Sequence, residues 1–467
     1  MQSILKNISF TFVSNLICTL ISILVTFILP KGVSVENYGY FQLYIFYVAY
    51  TGFLHFGWAD GLFLRYGGAY YNELDEKLFG SQFKIYCTIE MLFSVIFCVA
   101  ALLFVKGPQR TQVFLLIGAA IALSLPKTFL QYLLQGTNRI KEYATLVTLE
   151  RVVFGFFIVM LVCVGKDSFV FAVIADLTGK FIALLYALYQ CKDILFTKFT
   201  LTKEVFREIA SNINVGSKLM LANIASMLII GITRWSIEKE WDVAVFGKIS
   251  LTLSISNVMM IFIRSVSMVM LPTLRRIDGQ KYASIYNDIK VCLFALMFGG
   301  LLAYYPLNLF LTYWLPDYAD CLKYMALLFP ICVFEGKLSI LVEMYLKTMR
   351  LEKRILSSNI TTLIFSIIVT FVSIFVLESL SLAVLGMLVI FAFRTTLGEY
   401  ILSKRLDIDF YRNIAVELFL VTAFVCSSWF IEGFNGCLLY GCAYAMYLLM
   451  FRKKIIGVVK ERVMKKR

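Results

Sequence analysis

Ionisable residues set inside long apolar runs are the chemistry-bearing feature of this chain. Lys127, Arg264, Lys337 and Arg394 lie deep in such runs, and none has an acid three or four positions away in sequence. Arg264 is the sharpest case: it follows Met259-Met260-Ile261-Phe262-Ile263 and stands eight residues before Pro272. That is about 12 Å along a helix, beyond easy reach of lipid headgroups. A charge held there requires a water-filled cavity, an acid from another helix, or an anionic ligand. Glu90, Glu150 and Glu335 are the acids that could pair with these cations structurally. The alternative is a phosphate or pyrophosphate, which Arg grips bidentately and Lys meets as a point charge. Arg65, where a second apolar run leaves the membrane, joins this cation set. Asp60, Glu90, Asp176 and Glu335 are candidates for taking up a coupling proton or sodium ion, or for a gate.

Other charges explain themselves locally. Asp176 and Lys180, and likewise Glu343 and Lys347, are four apart and can pair on one helix face. Lys218, Arg234, Lys248 and Glu417 lie within about a turn of an interface and can snorkel. The single histidine, His55, sits among aromatics and reads as a packed side chain. There is no Walker A glycine loop, and the eleven cysteines form no CxxC pair. No metal, cofactor or catalytic residue is therefore expected.

The elements that must hold these charges are membrane helices. Of 467 residues, 60% are hydrophobic and only 16% are charged. Globular domains are nearer half apolar with about a quarter charged. A helix needs about 20 apolar residues to cross the hydrocarbon core. Candidate spans fall at 8–30, 38–62, 83–105, 112–134, 144–164, 169–189, 214–235, 245–271, 289–313, 322–346, 356–377, 380–402, 413–432 and 436–451. The expected fold is thus all-α and polytopic, with about fourteen transmembrane helices.

Charge in the connections sets orientation. The even-numbered loops carry Arg139, Lys141, Lys192, Lys198, Arg275, Arg350, Lys353 and Arg405, and the tail from Arg452 is densely basic. The odd-numbered loops are short and hold Glu36, Asp167, Asp242 and Asp317. The positive-inside rule then places both termini in the cytoplasm. The net charge of +14 is explained by topology, so nucleic acid is not expected as a partner. The basic tail is a candidate contact for anionic lipids.

The chain divides into an N-terminal bundle (1–190), a linker with a potential amphipathic helix at Thr202–Ala210 (191–213), a second bundle (214–405), and two extra helices with the basic tail (406–467). An internal echo supports the halves. Ser14-Asn15-Leu16 matches Ala222-Asn223-Ile224, and Tyr38-Gly39 matches Phe246-Gly247. Thr137-Asn138-Arg139 matches Thr348-Met349-Arg350 at a slightly larger offset. Two six-helix halves in the same orientation would be parallel repeats, with a substrate path between them.

Three segments resemble oligosaccharide repeat-unit flippases of bacterial surface-polysaccharide synthesis. They are Val35-Glu36-Asn37-Tyr38-Gly39-Tyr40-Phe41-Gln42-Leu43, Gly57-Trp58-Ala59-Asp60-Gly61-Leu62-Phe63-Leu64-Arg65-Tyr66-Gly67-Gly68 and Leu134-Gln135-Gly136-Thr137-Asn138-Arg139. These flippases are Wzx-type members of the multidrug/oligosaccharidyl-lipid/polysaccharide (MOP) exporter superfamily. The resemblance implies two parallel-related six-helix bundles plus two C-terminal helices around a V-shaped cationic cavity. It implies alternating access in the bacterial inner membrane, with H+ or Na+ as the ion that the acids named above could couple. The cargo would be an oligosaccharide on undecaprenyl pyrophosphate, an O-antigen or capsule precursor, and a polysaccharide polymerase would be a partner. Arg264 is placed where related flippases put a basic residue for the pyrophosphate. The motif region maps onto Asp60, Arg65, Gly67 and Gly68, as cargo contacts or as a cytoplasmic gate. The competing readings are a cation-coupled drug or metabolite exporter of the same superfamily and a membrane-embedded polysaccharide-assembly enzyme. A drug-cation pocket should be acidic and aromatic, whereas the deep charges here are mainly basic. An enzyme would need acids gathered in a large loop or a catalytic histidine, whereas the loop acids here are scattered over short connections and His55 reads as packed.

Overall fold

Inside a bilayer the backbone has no water to bond, so apolar runs of this length fold as helices that satisfy themselves. The computed structural model describes the backbone of residues 2–274, 282–406, 408–431 and 433–464. It describes the side chains of residues 10–258, 260, 282–351, 353–406, 408–412, 414–431 and 433–457. Among the described residues there are helices and turns and no strand.

The chain forms two compact units, Met1–Ile224 with Val243–Gly247, and Ala225–Asp242 with Lys248–Arg467. The first contains α1 (Gln2–Gly32), α2 (Val35–Thr51), α3 (Trp58–Arg65), α4 (Glu76–Phe104), α5 (Pro108–Gly136), α6 (Ile140–Val164), α7 (Phe169–Gln190), α8 (Lys192–Leu195) and the first half of α9 (Lys203–Glu240). The second contains the rest of α9, most of α10 (Val243–Leu274), α11 (Tyr282–Leu301), α12 (Tyr304–Trp314), α13 (Ala319–Leu322), α14 (Met325–Leu328), α15 (Ile331–Lys337), α16 (Met344–Thr348), α17 (Glu352–Phe371), α18 (Leu380–Leu406), α19 (Phe410–Cys426) and α20 (Gly433–Met464).

Twelve helical stretches of the described residues are long and apolar enough to cross a membrane. The two expected spans outside that set are the second and the eighth. The eighth lies on α10, whose described apolar part, Val243–Val258, is shorter. The second is broken: α2 ends at Thr51, a 3-10 turn covers Gly52–His55, and α3 begins at Trp58. Phe56 and Gly57 take positive φ angles of 51° and 82°, which a continuous helix cannot contain.

Local chemistry sets the helix ends. The Asp75 carboxylate caps α4 by accepting from the Lys77 and Leu78 N–H groups at 3.0 and 3.1 Å. Pro108 opens α5, where its missing N–H costs nothing. The linker differs from expectation: Thr202–Ala210 is no separate surface helix, because residues from Lys203 onward are the first turns of α9. Val205 and Ile209 bury one face of those turns, which ties them to the bundle.

Two of the echoing segments meet. Gly39 on α2 and Gly247 on α10 pack backbone to backbone, with no room for a Cβ on either. Phe46 stacks edge-on against Phe246 with ring centroids 5.6 Å apart.

Candidate functional site

Each unit holds one buried, charge-balanced network. In the first unit, Lys127 of α5 donates to Glu150 Oε2 of α6 at 2.5 Å. Lys180 of α7 lies 4.0 Å from the other Glu150 oxygen and bonds Asp176 one turn away. The Tyr44 hydroxyl of α2 donates to Asp176 Oδ2 at 2.7 Å. In the second unit, Lys337 of α15 bridges Glu399 of α18, at 2.5 Å, and Glu417 of α19. Lys290 of α11 takes the other Glu399 oxygen at 2.5 Å, and the Tyr286 hydroxyl donates to that oxygen at 3.0 Å.

These pairings change the roles expected for the deep cations. Lys127 and Lys337 are not free to grip an anion, because each is matched by carboxylates brought in from neighbouring helices. Asp176 is likewise committed to Lys180 and Tyr44. Arg394 donates to Ser226 Oγ and Asn359 Oδ1, both at 3.0 Å, and lies 3.8 Å from Glu343. Its Nε atom is buried without a partner. Arg264 is on α10, but its side chain lies outside the described residues. Two charges expected to snorkel do not. Glu417 is buried against Lys337, and Arg234 faces the protein interior, donating to Ser250 Oγ at 2.9 Å. Lys248 pairs with Asp320 at 2.7 Å, and Lys347 pairs with Glu343 at 2.8 Å. Sequence reasoning missed Lys290 and Glu399, which lie near predicted span ends. Glu399 stands five residues from Arg394, and residues five apart are not on one face of a helix, so local spacing gave no signal for it.

The glycine-rich motif around α3 forms a collar against the first turns of α9. Gly57 and Gly61 lie directly against the backbone of Asn212, Gly216 and Ser217. A Cβ on Gly61 or Gly216 would strike main-chain atoms, so only glycine permits this approach. Arg65 closes the collar, donating to Glu208 Oε1 at 2.5 Å and Asn212 Oδ1 at 2.6 Å. The Tyr66 hydroxyl also donates to Glu208 at 2.5 Å. Arg65 is therefore a helix-to-helix clamp here. Asp60 is buried beside His55, with Oδ2 3.8 Å from Nε2.

The second unit contains a polar cavity of about 170 Å³, lined by Arg234 of α9, Ser256, Asn257 and Met260 of α10, and Cys332 and Glu335 of α15. It presents a guanidinium, an amide, a hydroxyl and a carboxylate among apolar lining residues such as Ile230, Leu253, Leu328 and Ile331. Such a set can hold an anionic or hydroxyl-rich group by directed hydrogen bonds.

A smaller polar cluster ties two helix connections of the first unit. Asp167 Oδ1 accepts from the Ser34 N–H at 2.8 Å and from the Asn37 amide at 2.9 Å. Partial burial pushes its carboxyl up, but these bonds outweigh it and hold the group below the ordinary carboxylate range.

No family profile matches the chain, and no curated protein matches it significantly. Solved structures do share its fold. It is similar to "Lipid II flippase MurJ, inward closed conformation" with a TM-score of 0.67 and 14% identity, over 97% of this chain and 100% of that one. It is similar to the inward-facing conformation of a multidrug resistance MATE family transporter of the MOP superfamily with a TM-score of 0.59 and 11% identity, over 88% and 98%. The class is thus a multi-pass membrane protein with the fold of MOP-superfamily transporters. Within that class, the likeness to the lipid II flippase spans both chains from end to end.

Proposed function

We propose that this chain is a Wzx-type flippase of the bacterial inner membrane. It turns an undecaprenyl-pyrophosphate-linked oligosaccharide from the cytoplasmic to the periplasmic leaflet by alternating access. The observation that carries this reading is the arginine-bearing polar cavity of the second unit, in a fold shared along its length with a lipid II flippase. We assign the anion contact to Arg234, the guanidinium that lines this cavity. Arg264 follows four residues after lining position 260 in the sequence, and we keep it as the pyrophosphate residue that the resemblance implies. Asn257, Ser256 and Glu335 suit sugar hydroxyls. A drug-cation exporter is disfavoured because an arginine stands in the cavity and, among the described residues, no aromatic side chain lines it.

In this reading both termini are cytoplasmic, the collar at Arg65 belongs to the cytoplasmic face, and the basic tail meets anionic lipid. Transport is driven by H+ or Na+, and a polysaccharide polymerase receives the product. The test is deletion of the gene. Surface polysaccharide should be lost while the lipid-linked unit accumulates inside, and plasmid-borne wild type should restore both. Unchanged surface polysaccharide in the deletion would refute the reading.

A further inference from the structure

One face of α4 carries three polar side chains at a four-residue repeat, Gln82, Tyr86 and Glu90. All three are buried, at 0%, 0% and 2% exposure. Each keeps a buried polar atom with no protein partner: Gln82 Nε2, the Tyr86 hydroxyl and Glu90 Oε2. Leaving one such group unsatisfied costs about 1–3 kcal/mol, so three in register on one helix are not accidents of packing. Side chains four apart stand one above another on a helix, about 6 Å apart along the axis. Two O–H···O bonds of about 2.8 Å would span nearly that distance, so a single water between successive groups would join them into a file.

The file is anchored at one end. Gln82 Oε1 accepts from Trp58 Nε1 at 3.3 Å and from Asn212 Nδ2 at 3.0 Å, and Asn212 in turn holds Arg65. It therefore begins at the collar and runs inward to Glu90. No cation pairs with Glu90 among the described residues. Lys127 of the neighbouring α5 is held by Glu150, and Lys84 on α4 donates to the Thr197 carbonyl. The other titratable groups in this neighbourhood are Cys87 on α4, Asp60 and His55 across from it, and Tyr132 on α5. None of them is a lysine or arginine.

We propose that Gln82, Tyr86 and Glu90 form a hydrated proton path from the collar to Glu90, and that Glu90 is the carboxyl that binds and releases the coupling proton. A hydronium at the collar gives up one proton. Each water and the Tyr86 hydroxyl pass one on as they receive one, and the Glu90 carboxylate becomes a carboxylic acid with water left behind. The path rests on the transport reading for its purpose, but its existence can be tested without any cargo.

The experiment is an infrared pH titration of the full chain in lipid nanodiscs, with H2O-to-D2O exchange followed in time. Among the carboxylic-acid C=O bands that grow on acidification, wild type should show one high-frequency, slowly exchanging band of a buried acid. Glu90→Gln should remove that band, and Tyr86→Phe should retain it while slowing its deuterium shift several-fold. Gln82→Leu should slow it as well. Thermal melting of each variant establishes that it is folded, and Tyr86→Phe tests the path independently should Glu90→Gln fail to fold. A wild-type band that survives Glu90→Gln, or deuterium exchange unaffected by both Tyr86→Phe and Gln82→Leu, would overturn the proposal. Neither result bears on whether deletion of the gene abolishes surface polysaccharide, so the two ideas fail separately.

Discussion

The two buried charge networks have the same composition, two lysines, two carboxylates and a tyrosine, yet they are wired differently. The first unit closes its network with α5, α6 and α7, consecutive helices joined by short connections, and α2 adds only a hydroxyl. The second unit reaches further, drawing on α11, α15, α18 and α19. Lys337 is wholly buried and Glu417 is 3% exposed, whereas Lys127 and Glu150 keep 8% and 13%. Lys127 and Lys337 stand 210 residues apart, close to the offset of the echoing Thr137 and Thr348 segments. The comparison teaches that a buried lysine at nearly the echo offset is satisfied in two ways in the two units. In the second unit the solution recruits α19, so that helix is bound into the bundle by charge as well as by packing.

The largest effect expected from this difference is on stability. Removing one partner of a buried pair leaves an uncompensated charge and costs about 3–5 kcal/mol. Glu417→Ala or Lys337→Ala should fall at the top of that range, and Lys127→Ala at about 3 kcal/mol, because Lys180 remains near Glu150. Thermal melting in detergent checks the order, and a Lys127→Ala drop equal to that of Lys337→Ala would erase the distinction. Next is the collar of the first unit. Gly216→Val would force main chains apart, at a cost of about 1–3 kcal/mol, and should raise protease cleavage near Arg65. Arg65→Ala should cost less, about 1 kcal/mol or below, since its pair with Glu208 is partly exposed.

The smallest effect is the pH dependence at Asp167. Its carboxyl lies below the ordinary value when folded, so its contribution is fully present above about pH 4 and is lost as pH falls through the folded value. The melting difference between wild type and Asp167→Ala should therefore shrink on acidification. A difference that grew instead would contradict the bonds to Ser34 and Asn37.

Much of the fold was legible in the sequence because helix length and hydropathy are local properties. The break at Phe56-Gly57 was not, since an apolar run reads the same through a positive-φ turn. Local spacing correctly paired Asp176 with Lys180 and Glu343 with Lys347, because partners four apart on a helix must meet. The pairs of Lys127 with Glu150 and of Lys337 with Glu399 and Glu417 depend on which helices pack together, and no single segment carries that information. The same limit hid the role of Arg234, which sits a turn from a predicted interface yet points inward. The motif from Gly57 to Gly68 was recognisable as a unit, but its purpose as a close-packed collar required Gly216 and Asn212 from a helix 150 residues away in sequence.

On the proposed function, a pyrophosphate-linked oligosaccharide crosses the bilayer by way of the Arg234 cavity. The most direct measurement uses purified protein in vesicles that hold an undecaprenyl-pyrophosphate oligosaccharide, and follows how much remains open to a glycosidase added outside. Wild type should shield part of the outer pool in time under an imposed ion gradient, and Arg234→Ala should not. An outer pool that stays fully cleavable with wild type, or identical shielding by Arg234→Ala, would contradict the account.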